Sequence, residues 1–503
     1  MMCFTESGDN HVSVPSKATI QFCNVSASKL CSKNHRHGAT HTSAQADPAR
    51  KRAGEEQKLK SYQEFRLLEK EIGTDKFGHT QESAMSSHIQ SLKLAYIVDE
   101  YPPFFRGGLG TYAMEITPHL VKEAINPFVC SRNTGTDPEE GSYQKIPVYR
   151  PKLMNIYSLL SLYSPGDVVR WAPPDQNFFM ETLLFCEMAA QRVIRDGQNK
   201  ARFDAVAVHD WLAAPAGFLI QENLHIPLVM HFHSTEQGRT IGGSQSICDI
   251  EREAAARADA IITVSHAMKE ELISFGYPYE KINVVYNGVD TTKYSMERYP
   301  DHILTPFREK MGVGTRPMIF FIGRLTWVKG AVELVQAMPE ILSQIPDAML
   351  VLIGIGELEE TIRTHIADLQ LTDNVIFIPE LVSEDERLLY YAACDIAVFP
   401  SKYEPFGIVC TEAMSMGKPV VVGATGTSGF REQIIPSGPE QCGFHVNPWD
   451  PSDIATFVSI LLQDEGLRKR CGKNGRKRVL EHFTWDRIAK QTAAIYKSLC
   501  KTE

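Results

Sequence analysis

From residue 92 onward, short runs of Val, Ile, Leu and Phe alternate with longer stretches of helical spacing. The runs read LKLAYIVD, FDAVAVHD, PLVMHFH, DAIITVS and INVVYN, then, after a break, MIFFIG, AMLVLIG, NVIFIP, DIAVFP and KPVVVG. Unbroken apolar runs suit strands covered on both faces, and the helical stretches between them are the crossovers that parallel strands require. The pattern therefore predicts an α/β chain with parallel sheets. Ten strands are too many for one comfortable core, so two Rossmann-like, doubly wound domains are predicted, facing across a cleft. The polar turn at Asn287–Asp290 marks the boundary between residues 91–290 and 291–484, with a last helix in 485–503.

Residues 1–90 break this pattern. They are rich in Ser, His, Lys and Gln and lack apolar periodicity, which predicts a disordered N-terminal extension with at most one short helix over 55–72. Cys23, Cys31, His35, His37 and His41 are metal-ligating types, but their spacing fits no zinc pattern and a solvated tail is the simpler reading. The tail carries acids and no arginine-rich amphipathic stretch, which argues against a transit peptide. Translation from Met85 is the alternative explanation for it.

Composition narrows the function classes. The hydrophobic set is 43% and the charged set 22% of 503 residues, ordinary for a globular enzyme. A formal charge of -9 argues against a nucleic-acid partner, which needs a basic footprint. No apolar run reaches the roughly 18–20 residues that span a bilayer, and no stable membrane association is expected. The body cysteines are scattered without paired spacing, which predicts a reducing, cytoplasmic setting.

Candidate chemistry lies in loops at predicted strand ends. Arg106-Gly107-Gly108-Leu109-Gly110 precedes a helix, where glycine lets backbone N–H groups approach an anion or simply makes a packing turn. His209-Asp210-Trp211 and His231–Glu236 end two strands with polar groups that suit either a ligand hydroxyl or a nearby backbone group. The loop Gly323–Gly330 places Arg324 and Lys329 before a helix, where cations oppose the helix dipole unless an anion lies between, so a diphosphate clamp is predicted over a solvated surface pair. Glu404 and Glu412 flank the strand-to-helix turn at Gly407, whose amide with that of Ile408 would offer N–H groups to another phosphate oxygen. The chain has no Asp-x-Asp metal-binding pair, so a leaving diphosphate would be neutralised by side-chain cations and helix ends.

GRLTWVKG, IGIGE, SEDERLLYYAACDIAVFPS, EPFGIVCTEAMSMGKPVVV and HFTWDRIA together resemble the retaining glycosyltransferases of family 4 over roughly residues 92–503. The Glu100–Gly110 segment and HDW are similar to signatures of its glycogen and starch synthase branch, with Arg106 in place of a lysine and Leu212 in place of a second histidine. The resemblance implies a GT-B fold with an acceptor-side first domain, a nucleotide-sugar-binding second domain and a C-terminal helix returning to the first. It implies hexosyl transfer, glucosyl in that branch, from a nucleotide-diphosphate sugar (ADP- or UDP-glucose) to an α-glucan. A lipid, small-sugar or inositol-phosphate acceptor, or a non-catalytic regulatory subunit, are the alternatives. By position it implies Arg324 and Lys329 on the diphosphate, Glu404 and His209 at the donor sugar, and Glu412 on the ribose. Gly107, Gly108, Gly323, Gly407 and Ile408 would line the phosphates and sugar. No cofactor and no metal are expected.

Overall fold

The computed structural model describes residues 91–103, 107–154, 166–199, 202–240 and 242–500. The expectations for the N-terminal extension and for Arg106 lie outside these residues. Two sheets carry the chain. The first has eight strands in the order β3-β4-β2-β1-β5-β6-β7-β8: β1 (Leu92–Ile97), β2 (Ile125–Cys130), β3 (Glu140–Tyr143), β4 (Ile146–Tyr149), β5 (Ala205–His209), β6 (Leu228–Phe232), β7 (Ala260–Thr263) and β8 (Ile282–Val284). The second has six in the order β11-β10-β9-β12-β13-β14: β9 (Met318–Ile322), β10 (Met349–Ile353), β11 (Val375–Ile378), β12 (Ile396–Phe399), β13 (Val420–Gly423) and β14 (Gly443–Val446). Both are doubly wound, as the apolar runs predict. All pairings are parallel except the β3–β4 hairpin at the edge of the first sheet.

All ten predicted runs form strands. The sequence reading missed β2, β3, β4 and β14 for local reasons. Pro127 interrupts β2, β3 (Glu-Gly-Ser-Tyr) is largely exposed, Pro147 interrupts β4, and β14 (Gly-Phe-His-Val) opens on glycine and carries a histidine. Central strands such as β5, β6 and β10 are buried along their whole length, which removes the alternation expected of a half-exposed strand.

The chain passes between the sheets twice, side by side. Val289 and Thr484 form a parallel bridge, and the Val289 amide donates to the Phe483 carbonyl at 2.8 Å. Beyond this point the helix Trp485–Leu499 packs on the first domain against the helix Gly108–Lys122, burying Trp485, Ile488, Ala493 and Tyr496. The carboxyl ends of the two sheets meet: the loop after β6 hydrogen-bonds the loop after β12. No helix among the described residues is long and apolar enough to cross a membrane.

Candidate active site

In the second domain, β12 ends at Phe399 and the chain turns before the helix Ile408–Ser415. Gly407 makes that turn with φ +89°, and a Cβ there would lie 2.2 Å from the Phe430 ring and 2.9 Å from Glu404 Cγ, so no larger residue fits. The helix leaves its first N–H groups, from Ile408 onward, without intrahelical partners. Glu404 is buried (7% exposed), and its backbone is pinned to residues 427–429: its amide donates to the Thr427 carbonyl, and its carbonyl accepts from the Gly429 amide at 2.8 Å. Its Oε2 accepts from Lys329 Nζ at 2.5 Å and from Ser401 Oγ at 3.3 Å.

Lys329 comes from the 3-10 turn Trp327–Lys329 after β9. Gly330 follows at φ +72°, where a Cβ would lie 2.0 Å from the Pro400 carbonyl oxygen; glycine lets this turn rest directly on the end of β12. The structure thus brings Lys329, Glu404 and Gly407 into one cluster. Gly323 and Arg324 stand at the exit of β9 with the Arg324 side chain exposed and without an ion pair among the described residues.

Glu412, implied by the resemblance to hold the ribose, is enclosed by side chains of its own domain. It lies on the buried side of its helix, 3% exposed, with Oε1 accepting from Tyr294 Oη at 2.7 Å and Oε2 from Tyr391 Oη at 2.8 Å. Arg387 approaches to 3.7 Å, and the Glu412 carboxylate raises its pKa. Cys410 through Ser415, Glu412 among them, are all buried.

In the first domain His209 is also buried, not exposed to the cleft. Its Nδ1 is 3.0 Å from His233 Nε2, and its ring lies against Tyr96 and His231 at 4.4 and 4.3 Å between centroids. His209 Nε2 and His231 Nδ1 are buried without partners, while His231 Nε2 bonds Tyr496 Oη at 2.8 Å. Burial, then the neighbouring imidazoles, push the pKa values of His209 and His231 well below the usual histidine range; burial lowers that of His233 as well, against the Asp210 carboxylate.

One ring nitrogen from each of the three histidines lies within 4.8 Å of the others, the only such cluster of potential metal ligands among the described residues. The ring planes differ by only 13–31°, and the His209–His233 contact takes up one nitrogen from each ring. Of the three pairs, His209 and His233 are at hydrogen-bond distance.

Gly107 and Gly108 open the helix Gly108–Lys122 with free space on their Cα side, and Tyr112, one turn on, packs its ring 4.6 Å from His233. The Gly107 amide donates to Glu100 Oε2 at 3.2 Å. The residues that sequence reasoning missed are Tyr403, Glu271 and Glu432, which join the domains at this site. Their partners lie 132 to 168 positions away in the chain, a spacing that carries no local signal.

Comparison with known proteins places the fold in a family. Residues 106–293 match the family described as Glycosyltransferase Family 4, and residues 305–478 match Glycosyl transferases group 1. The chain is 32% identical over 412 residues to an uncharacterized glycosyltransferase of Methanocaldococcus jannaschii, covering 81% of this chain and 98% of that one. It is 26% identical over 419 residues to the glycogen synthase of Mycobacterium tuberculosis, covering 80% and 94%. Its fold matches that of Anabaena HepE, solved in complex with UDP and glucose, with a TM-score of 0.62 at 22% identity over 81% of this chain and 100% of that one. With two parallel-sheet domains meeting at their carboxyl ends around a Lys329–Glu404 cluster, the chain belongs to glycosyltransferase family 4 and is a transferase of the GT-B fold.

Proposed function

We propose that the chain is a retaining glycosyltransferase moving a hexosyl unit, glucosyl by its likeness to glycogen synthase, from a nucleotide-diphosphate sugar to an α-glucan hydroxyl. The observation that carries this reading is the Lys329–Glu404 pair, 2.5 Å apart beside a helix start. A lysine at that place supplies positive charge where a diphosphate would leave, and Arg324, exposed at the exit of β9, supplies a second. The N–H groups at Gly407 and Ile408 suit another phosphate oxygen.

Glu404 neutralises Lys329. A bound diphosphate would draw the ammonium away and free the carboxylate to accept a sugar hydroxyl. The acceptor hydroxyl attacks the anomeric carbon on the face the diphosphate leaves; the C–O bond to phosphate breaks, the new glycosidic bond forms, and the acceptor proton passes to the departing phosphate oxygen. This route asks for no separate base. His209, bonded to His233, would serve the donor sugar from the first-domain side.

The test is a panel of ADP-glucose, UDP-glucose and GDP-mannose with and without glycogen, in chelator. Nucleoside diphosphate release only when donor and acceptor are both present, with the anomeric configuration kept, is expected. Inverted product, or no transfer from any nucleotide sugar, would overturn the reading.

A further inference from the structure

Tyr403 lies in the second domain, next to Glu404, yet its hydroxyl bonds only to the first. It accepts from the Thr235 amide at 3.2 Å, lies 3.3 Å from Thr235 Oγ1 and donates to Glu271 Oε1 at 3.2 Å. Thr235 Oγ1 also donates to Glu271, and Glu271 Oε2 is buried without a partner. The ring fills the space beside Gly238, where a Cβ would lie 2.1 Å from the ring carbon Cζ. Tyr403 is therefore seated in a first-domain socket that only a glycine at 238 leaves open.

A second contact reaches the same first-domain helix, His266–Ser274. Glu432 of the second domain accepts from the His266 and Ala267 amides at 2.9 and 2.7 Å. Those are N–H groups of the helix's first turn, where a carboxylate is favoured by the dipole and satisfies orphan donors. Glu271, the partner of Tyr403, projects from the next turn.

The two contacts are mechanically joined through Glu404. Its backbone is bridged to Ser428, and the Glu404–Gly429 bond ties the 403–404 segment to the one carrying Glu432. On the other side, Thr235 stands two residues after His233, which bonds His209. A continuous path thus runs from His209 through His233, Thr235 and Tyr403 to Glu404 and Lys329.

We propose that Tyr403 is a positioning residue, with Glu432 as its second anchor: together they clamp the helix His266–Ser274 and set Glu404 in register with the first-domain half of the site. The proposal rests on the reading that Lys329 and Glu404 lie at the reacting centre. Losing the hydroxyl leaves the Thr235 N–H without its partner in a buried seam, so the closed, aligned arrangement loses population while the second-domain nucleotide site is untouched.

Hydrogen exchange and kinetics on the full chain carrying Tyr403→Phe, and separately Gly238→Ala, test this. Both variants are expected to raise amide exchange over residues 233–238 and 266–271, with the β9–β13 core unchanged. With the best donor of the panel, kcat is expected to fall about tenfold or more while the KM for that donor changes little. Glu432→Gln should reproduce the exchange change in 266–271. Wild-type exchange in these segments for Tyr403→Phe would overturn the clamp, whether or not the protein transfers sugar. Raised exchange with unchanged kcat would overturn the positioning role and leave a structural contact. A wild-type chain inactive toward every donor would refute the function proposed above, while the exchange result still decides the clamp.

Discussion

Lys329 and Glu404 neutralise each other at 2.5 Å with side chains only 18% and 10% exposed, so each holds the other's charge in a poorly hydrated place. Removing one leaves the other uncompensated, which costs more than a surface pair would. Lys329→Ala and Arg324→Ala are expected to lower kcat by about 100-fold or more through lost stabilisation of the leaving group, read by nucleoside diphosphate release. Glu404→Gln, which keeps the shape and removes the charge, should also lower kcat; turnover within about threefold of the parent would remove Glu404 from the reacting centre. Glu412 belongs to a different argument. Glu412→Ala strands the buried Tyr294 hydroxyl and leaves Tyr391 with the Val409 carbonyl and Arg387 with Glu384, an expected loss of about 1–3 kcal/mol of stability measured by denaturant unfolding.

At the scale of elements, the buried polar groups around β5 and β6 give the first domain a pH signature. His209, His231 and His233 stay neutral in the fold, while in the unfolded chain each takes up a proton below about pH 6.5. The unfolded state then binds more protons, so stability is present above that value and is lost as the pH falls through it. Glu251, buried in the helix Gln245–Arg257, works the opposite way. Burial raises its pKa to about 8, so its contribution is present in acid and is lost as the pH rises toward that value. Melting temperature is expected to fall below about pH 6.5, where three histidines outweigh one carboxyl, and to decline again toward pH 8. Glu251→Gln, which keeps an acceptor for the Glu236 amide, should flatten only the alkaline limb; an unchanged alkaline limb would show that other groups set it.

Across the whole molecule, the first domain's core is completed by the C-terminal helix. Trp485 packs its ring 5.8 Å from Tyr112, and Tyr496 bonds His231, so residues from the end of the chain close the pocket behind the histidine stack. Ending the chain after Thr484 would expose Tyr112, Ile116 and the His231 ring and leave His231 Nε2 without its partner. The expected result is a first domain that melts well below the second; a single cooperative melt at the parent temperature would contradict this. The double crossing at Val289 and Thr484 lies near the clamp on His266–Ser274: the Tyr286 ring stands 6.4 Å from His266 and 5.4 Å from Phe483.

Ten of the fourteen strands, the presence of two α/β domains and the Gly407 turn were legible in the linear chain because each depends on neighbouring residues: apolar runs, turn chemistry and the helix start. The Lys329–Glu404 cluster was legible in part, since both residue types sit at strand ends where parallel sheets place ligands. The direction each side chain points was not. His209 turns into an aromatic stack, and Glu412 turns into tyrosine hydroxyls, because packing with residues more than twenty positions away settles where a buried polar group finds its hydrogen bonds. Tyr403 and Glu432 acquire their roles only when helix His266–Ser274 arrives from the other domain, so the coupling of the two halves belongs to tertiary structure alone.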